Sequence, residues 1–124
     1  MECPKCHCAF EEIEFAQVNV QRCTGCRGIW FDRRKHEYLK SVDGSEAIDI
    51  GDPELGKRLN EKGKFKCPEC YGAMVRMADP DQHHLWYEAC SRCFGVFFDA
   101  GEFRDYKERT VIDFVRDLFT PERP

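Results

Sequence analysis

The sequence predicts a small α+β fold assembled from two similar halves, each a short antiparallel β unit followed by a helix. Three observations predict it. Residues 23–32 read CTGCRGIWFD and residues 90–99 read CSRCFGVFFD, identical at five of ten positions and closely matched at three more. Eight of the nine cysteines fall into four C-x-x-C pairs, two in each half. Around those pairs, short runs rich in β-branched and aromatic residues give way to stretches with helical spacing of apolar residues.

Composition narrows the class. The chain has 124 residues, 34% of them charged, a formal charge of -4 and a mean hydropathy of -0.62. That balance reads as a soluble protein, and no apolar run approaches the roughly 18 residues a membrane span needs. The opening MECPKCHCAF has neither the basic nor the apolar region of a secretion signal, so a cytoplasmic location is expected. In a reducing compartment, paired cysteines point to metal before disulfides.

The pairs are Cys3/Cys6, Cys23/Cys26, Cys67/Cys70 and Cys90/Cys93. CPKC in the first half answers CPEC in the second, with spacers of 16 and 19 residues before the next pair. The difference is placed in the ADPDQHH stretch, where Asp79-Pro80-Asp81 reads as a turn. Each half spans about 40 residues, too few to bury a self-sufficient core. Four thiolates on Zn²⁺ remove that difficulty, because metal-binding energy of order 10 kcal/mol becomes folding energy. Two zinc ions are therefore expected. Sequential sharing gives one site from Cys3, Cys6, Cys23 and Cys26 and another from Cys67, Cys70, Cys90 and Cys93. Cross-braced sharing would make the halves interdependent, but self-contained duplication favours the sequential sites. Gly28, Gly72 and Gly95 are read as supplying the positive φ of the turns after their pairs. Cys8, the odd cysteine, stands where Gly72 stands in the second half. It is expected to be a small, partly buried thiol, with a reactive free thiol as the sharper alternative. His7 beside it is a weaker candidate ligand.

The elements follow in order. Residues 1–40 form the first hairpin unit and a short helix over RRKHEYLKSV, with Asp32 at its start. Residues 41–66 form a polar, glycine-bearing linker with one short helix, capped by Asp52 and opened by Pro53. Residues 67–100 form the second hairpin unit, its strands within AMVRMAD, HHLWYEAC and GVFFD. Residues 101–120 form a longer amphipathic helix, with Asp99 and Glu102 as a capping box. Phe103, Tyr106, Val111, Phe114, Val115 and Leu118 recur on it at helical spacing. Those side chains either pack on the second hairpin unit or form a homodimer interface.

The phrases CPKC…CTGCRGIWFDRRKHEYL and CPEC…CSRCFGVFFDAGEF resemble transcription-factor-IIB-type zinc ribbons, in two tandem copies covering about 80 residues. Members of that family typically read CPxC, a spacer, then CxxCxGxWxDxGEL. The second copy keeps Asp99, Gly101 and Glu102 but has Phe97 for the tryptophan. The first keeps Trp30 and Asp32 but has Arg34 and Lys35 for the glycine and glutamate. The resemblance implies zinc-ligand roles for all eight paired cysteines.

Three functional classes follow. All-sulfur sites leave zinc no open position, so a non-enzymatic module binding a protein partner is the first expectation. Nucleic-acid binding is the alternative: Arg22, Arg27, Arg33, Arg34 and Lys35 cluster around Trp30 and Phe31, a pattern suited to phosphate contact and base stacking. Charge opposes it. Each four-thiolate zinc site adds roughly −2, which takes the chain to about −8. Residues 67–124 hold 11 acidic against 7 basic side chains. A thiol redox protein is the distant third, resting on Cys8. His83-His84 is the nearest approach to a catalytic pair and reads as solvated hairpin residues.

Overall fold

The computed structural model describes residues 1–60, 65–79 and 82–107. Six strands make one antiparallel sheet: β1 (Phe10–Phe15), β2 (Val18–Cys23), β3 (Ile29–Phe31), β4 (Met74–Asp79), β5 (Gln82–Cys90) and β6 (Val96–Phe98). Their spatial order is β1-β2-β3-β6-β5-β4, so each half contributes three strands and the halves meet edge to edge. At the seam Ile29 faces Phe98, Trp30 faces Phe97 and Phe31 faces Val96, a register with an approximate two-fold through the Trp30–Phe97 pair.

Local chemistry explains the pieces. Ala16 and Gln17, both at positive φ, form the two-residue turn that joins β1 to β2. The extra residues of the second half lengthen β5 to nine residues against six in β2. Pro80 and Asp81 of the expected turn lie outside the described residues. The seam strands break the alternation of a half-solvated sheet: all three residues of β3 and of β6 are buried. Both faces of the seam are therefore covered.

One face carries Val20, Ile29, Phe31, Val96 and Phe98. It is covered by helix α1 (Lys35–Lys40), a 3₁₀ turn at Ser45–Ile48 and a helix at residues 102–107. Leu39, Ile48, Phe103 and Tyr106 are their contributions to that core. The opposite face carries Trp30, Phe97 and the cysteines, and helix α2 (Pro53–Asn60) adds Leu55 and Leu59. As expected, Asp52 opens α2, its carboxylate accepting the Glu54 N–H at 3.0 Å.

Two expectations change. The first helix is shorter than RRKHEYLKSV, because Arg33 and Arg34 sit at φ 43° and 64° and turn the chain before α1 begins. The Asp99 carboxylate is directed to Lys5 instead of forming a capping box. A residue from the linker supplies the cap: Asp49, buried, accepts the Gly101 N–H at 2.9 Å and the Arg104 N–H at 3.0 Å. Of the long C-terminal helix, residues 102–107 are helical, and the remaining span with Val111, Phe114, Val115 and Leu118 lies outside the described residues. Phe103 and Tyr106 are buried in the chain's own core.

Candidate metal centres

All four C-x-x-C segments fold the same way. In each, the N–H of the first cysteine is donated to the carbonyl five residues on, and the N–H four residues on is donated back to that cysteine's carbonyl. The pairs are Cys3/Cys8 with His7/Cys3, Cys23/Gly28 with Arg27/Cys23, Cys67/Gly72 with Tyr71/Cys67, and Cys90/Gly95 with Phe94/Cys90, all at 2.8–3.1 Å. The loop closes through a left-handed residue just after the second cysteine: His7, Arg27, Tyr71 and Phe94, at φ 61–65°.

This corrects the reading of the glycines. Positive φ falls one residue before Gly28, Gly72 and Gly95, and the glycines answer a different demand. A Cβ on Gly28 would lie 2.3 Å from the Phe97 ring, and one on Gly95 would lie 2.2 Å from the Trp30 ring. Each ribbon thus lays its aromatic on the other ribbon's glycine.

The loops bring the sulfurs together in two groups, Cys3, Cys6, Cys23, Cys26 and Cys67, Cys70, Cys90, Cys93, with all Sγ atoms of a group within 4.8 Å of one another. The sharing is sequential, one site per half. Sulfur–sulfur distances of 3.7 Å (Cys3–Cys26), 3.3 Å (Cys6–Cys23), 3.5 Å (Cys67–Cys93) and 3.4 Å (Cys70–Cys90) approach the ~3.8 Å edge of a tetrahedron with Zn–S bonds of about 2.3 Å. No disulfide links any of the nine cysteines. Backbone N–H groups of Lys5, Gly25 and Arg92 point at Sγ atoms of Cys3, Cys23 and Cys90 at 3.3–3.4 Å, which stabilises thiolate. Without a cation each group ionises only in part. The Cys23 interaction and burial push Cys3 up to about 12, and burial pushes Cys67 up to about 12. The Cys26 interaction lowers Cys23, and against its burial backbone hydrogen bonds lower Cys90. A divalent ion supplies the missing charge. His7 is exposed and lies outside both groups, and Cys8 is exposed where partial burial was expected.

A family model described as a transcription factor zinc-finger, of the TFIIB zinc-ribbon type, matches residues 2–42 and 66–109, more than half of the chain. The chain belongs to the TFIIB-type zinc-ribbon family, in two tandem copies. No curated relative and no solved structure matches it. With the family and the sulfur geometry in agreement, the chain's cofactors are two zinc ions, one per ribbon.

The candidate contact residues of the first ribbon fare differently. Trp30 is 1% exposed and Phe31 is fully buried, so neither ring offers a stacking surface. Arg22 and Arg27 both bind Glu11, at 2.8 and 3.3 Å. Arg34 pairs with Glu37 at 3.0 Å and Lys35 with Asp32 at 2.8 Å. Arg33 alone of the five has no carboxylate partner among the described residues. The side chains of His83 and His84 lie outside what is described.

Sequence reasoning missed a buried charge group between the ribbons. Lys5, from the first zinc loop, binds Glu88 at 2.6 Å and also Asp99, both from the second ribbon. Its ammonium faces the Phe65 and Phe97 rings at 4.9 and 5.7 Å. Glu69, the matching residue of the second CPxC loop, instead accepts the Trp30 indole N–H at 3.2 Å. Burial raises Glu88, and burial with the nearby Asp99 and Asp105 raises Glu102 to about 8.

Proposed function

We propose that this protein is a non-catalytic binding module in which two structural zinc ions hold a rigid six-stranded platform for a protein partner. One observation carries the reading. Tyr71 and Phe94 stand 74% and 66% exposed at the tips of the second ribbon's zinc loops, each at positive φ. Bulky side chains are disfavoured in that conformation, and two large rings in water bring the fold nothing. Aromatic residues held rigidly at a surface are what protein interfaces concentrate. The all-sulfur sites favour a structural role for the metal, since they leave no position for water or substrate.

Nucleic acid is the second reading, and what supports it lies on the second ribbon. The Arg92 side chain runs beside Gly72, between the loops that present Tyr71 and Phe94. The acidic balance of the chain opposes this reading.

One pair of measurements separates the two. Zinc-loaded protein is titrated with single- and double-stranded DNA and RNA at about 50 and 200 mM salt, where a few phosphate contacts change affinity visibly. In parallel, zinc-dependent capture of partners from cell extract is followed by cross-link mapping. The adaptor reading expects no salt-sensitive nucleic-acid binding, and a partner whose capture weakens in the Tyr71→Ser/Phe94→Ser double variant. Salt-sensitive binding lost in Arg92→Glu would replace it with the nucleic-acid reading.

A further inference from the structure

The repeat register, which matches Cys23 with Cys90 and Asp32 with Asp99, also matches two grooves. Each lies between one ribbon's zinc site and the start of the helix that follows the other ribbon's last strand. Their fates differ. In the first, the chain seats its own residues 48–51. The Ile48 carbonyl accepts from the Arg22 guanidinium at 3.0 Å, and the Asp49 carboxylate takes the N–H groups of Gly101 and Arg104. Gly51 lies so close that an added Cβ would stand 2.6 Å from Arg27 Cβ and 2.5 Å from Ala100 Cβ.

The second groove is a cavity of about 650 Å³ lined by Arg33, Arg34, Glu37, Ala89, Cys93 and Phe94. In the repeat register these are the counterparts of Ala100, Gly101, Arg104, Arg22, Cys26 and Arg27. Those six are the residues that the linker segment touches in the first groove. His36 also lines the second groove, and its buried Nδ1 has no hydrogen-bond partner. Burial lowers His36 to about 4, so the ring is neutral and adds no charge to the groove. Two arginines border this groove where Ala100 and Gly101 border the first.

We propose that the second groove seats an extended acidic segment of the partner protein along the path that residues 48–51 take in the first: an aliphatic residue, an aspartate, then a small residue. The Arg33 guanidinium is the aspartate's partner, because Ala89 stands for Arg22 and the Glu37 N–H is already donated to the Arg34 carbonyl at 3.1 Å. The proposal rests on the protein-partner reading above and names the chemistry of that partner. Charge complementarity supports an acidic occupant at the Arg33 side of the groove, since Arg33 has no carboxylate partner among the described residues, whereas Arg34 is paired with Glu37. The shape argument comes from the chain itself, whose own Ile48–Gly51 segment fills the matching space.

The probe is a synthetic peptide with the sequence of residues 45–52, SEAIDIGD, titrated into ¹⁵N-labelled, zinc-loaded full-length protein. Saturable amide shifts are expected at residues 33–37 and 89–94 with up to about 1 mM peptide. A peptide carrying Asp49→Lys should not bind. Arg33→Glu, an exposed position, should weaken binding about fivefold while leaving zinc content and the remaining spectrum intact. Three results overturn the proposal: no saturable shift, shifts confined to residues 101–104 where the peptide exchanges with the native linker, or an affinity unchanged by Arg33→Glu. An oligonucleotide that shifts the same amides in preference to the peptide also overturns it. The broader reading fails separately, if capture from extract yields no zinc-dependent partner. A partner cross-linked only away from this groove leaves the broader reading standing and sinks this one.

Discussion

The two ribbons carry nearly the same phrase and sit across an approximate two-fold, and they keep that symmetry in their zinc loops and apolar contacts but not in their charges. Trp30 covers Gly95 and Phe97 covers Gly28, each ring within 2.4 Å of where a Cβ would be. Charged positions break it. Asp32 is partly exposed and pairs with Lys35, whereas its counterpart Asp99 is buried on Lys5. Lys35 is matched by Glu102, a carboxyl placed near Asp99. Gly101 at φ 88° is matched by Arg34 at φ 64°, a conformation that costs a residue with a side chain about 1–2 kcal/mol. Shape complementarity joins the halves, and the charges give each half a different environment.

Removing one metal site tests the joint most severely. Because β3 and β6 are hydrogen-bonded neighbours, the second ribbon should not unfold alone. Cys67→Ser should remove metal-binding energy of order 10 kcal/mol from one site and release zinc from both. Zinc content and NMR spectra check this; a variant that keeps one zinc and a native first-ribbon spectrum would show that the halves fold independently.

Next in size is the buried lysine. Lys5→Met leaves Glu88 and Asp99 buried without its ammonium and should cost about 3–5 kcal/mol in urea unfolding of the zinc-loaded protein. The matching Glu69→Gln loses only the charge on one hydrogen bond to Trp30 and should cost about 1 kcal/mol. Equal costs would mean that the charge asymmetry has no energetic weight.

The seam glycines come third. Gly28→Ala and Gly95→Ala should each cost up to about 3 kcal/mol by forcing the opposing ring away. Gly72→Ala meets the flexible Arg92 side chain at 3.2 Å and the Cys70 Sγ at an ordinary contact of 3.5 Å and should be nearly neutral. Recovery of Gly28→Ala by Phe97→Leu would tie the cost to the ring and not to the backbone.

These contrasts also show what the sequence could and could not disclose. Cysteine spacing is local, so both zinc sites, the hairpins and the Asp52–Pro53 start of α2 were legible. The seam was not, because pairing between β3 and β6 joins residues 65 to 69 apart with no local turn to announce it. That is why sequence alone assigns Gly28 and Gly95 to turns and counts Trp30 as a surface aromatic. One signal was available: Ile29-Trp30-Phe31 and Val96-Phe97-Phe98 are apolar without alternation, the mark of a strand covered on both faces. Asp49 was invisible for a related reason, since it caps a helix 52 residues away in sequence. Lys5 and Glu88 looked like ordinary surface charges until the ribbons were brought together.

The smallest contrast concerns Glu102, and pH reads it out. Burial and the neighbouring carboxylates raise this group from its ordinary 4.5 to about 8, so the folded chain holds a proton there that the unfolded chain has released. The stability tied to that proton is full below pH 4.5 and is lost as pH rises through 8. Solvent reaches part of the side chain, which discounts the effect to about 1–2 kcal/mol. Glu102→Gln should therefore unfold at higher urea than the parent at pH 9 and at nearly the same urea at pH 5. Zinc–thiolate binding is favoured at pH 9, so the metal sites do not confound the comparison at the alkaline end. Lys35→Gln, at the matching position of the first ribbon, removes a partly exposed pair with Asp32 and a hydrogen bond to the Asn19 carbonyl and should show no such rise with pH. A parallel response at the two positions would mean that the carboxyl group of Glu102 is solvated like any surface glutamate, and that the charge asymmetry ends at Asp99.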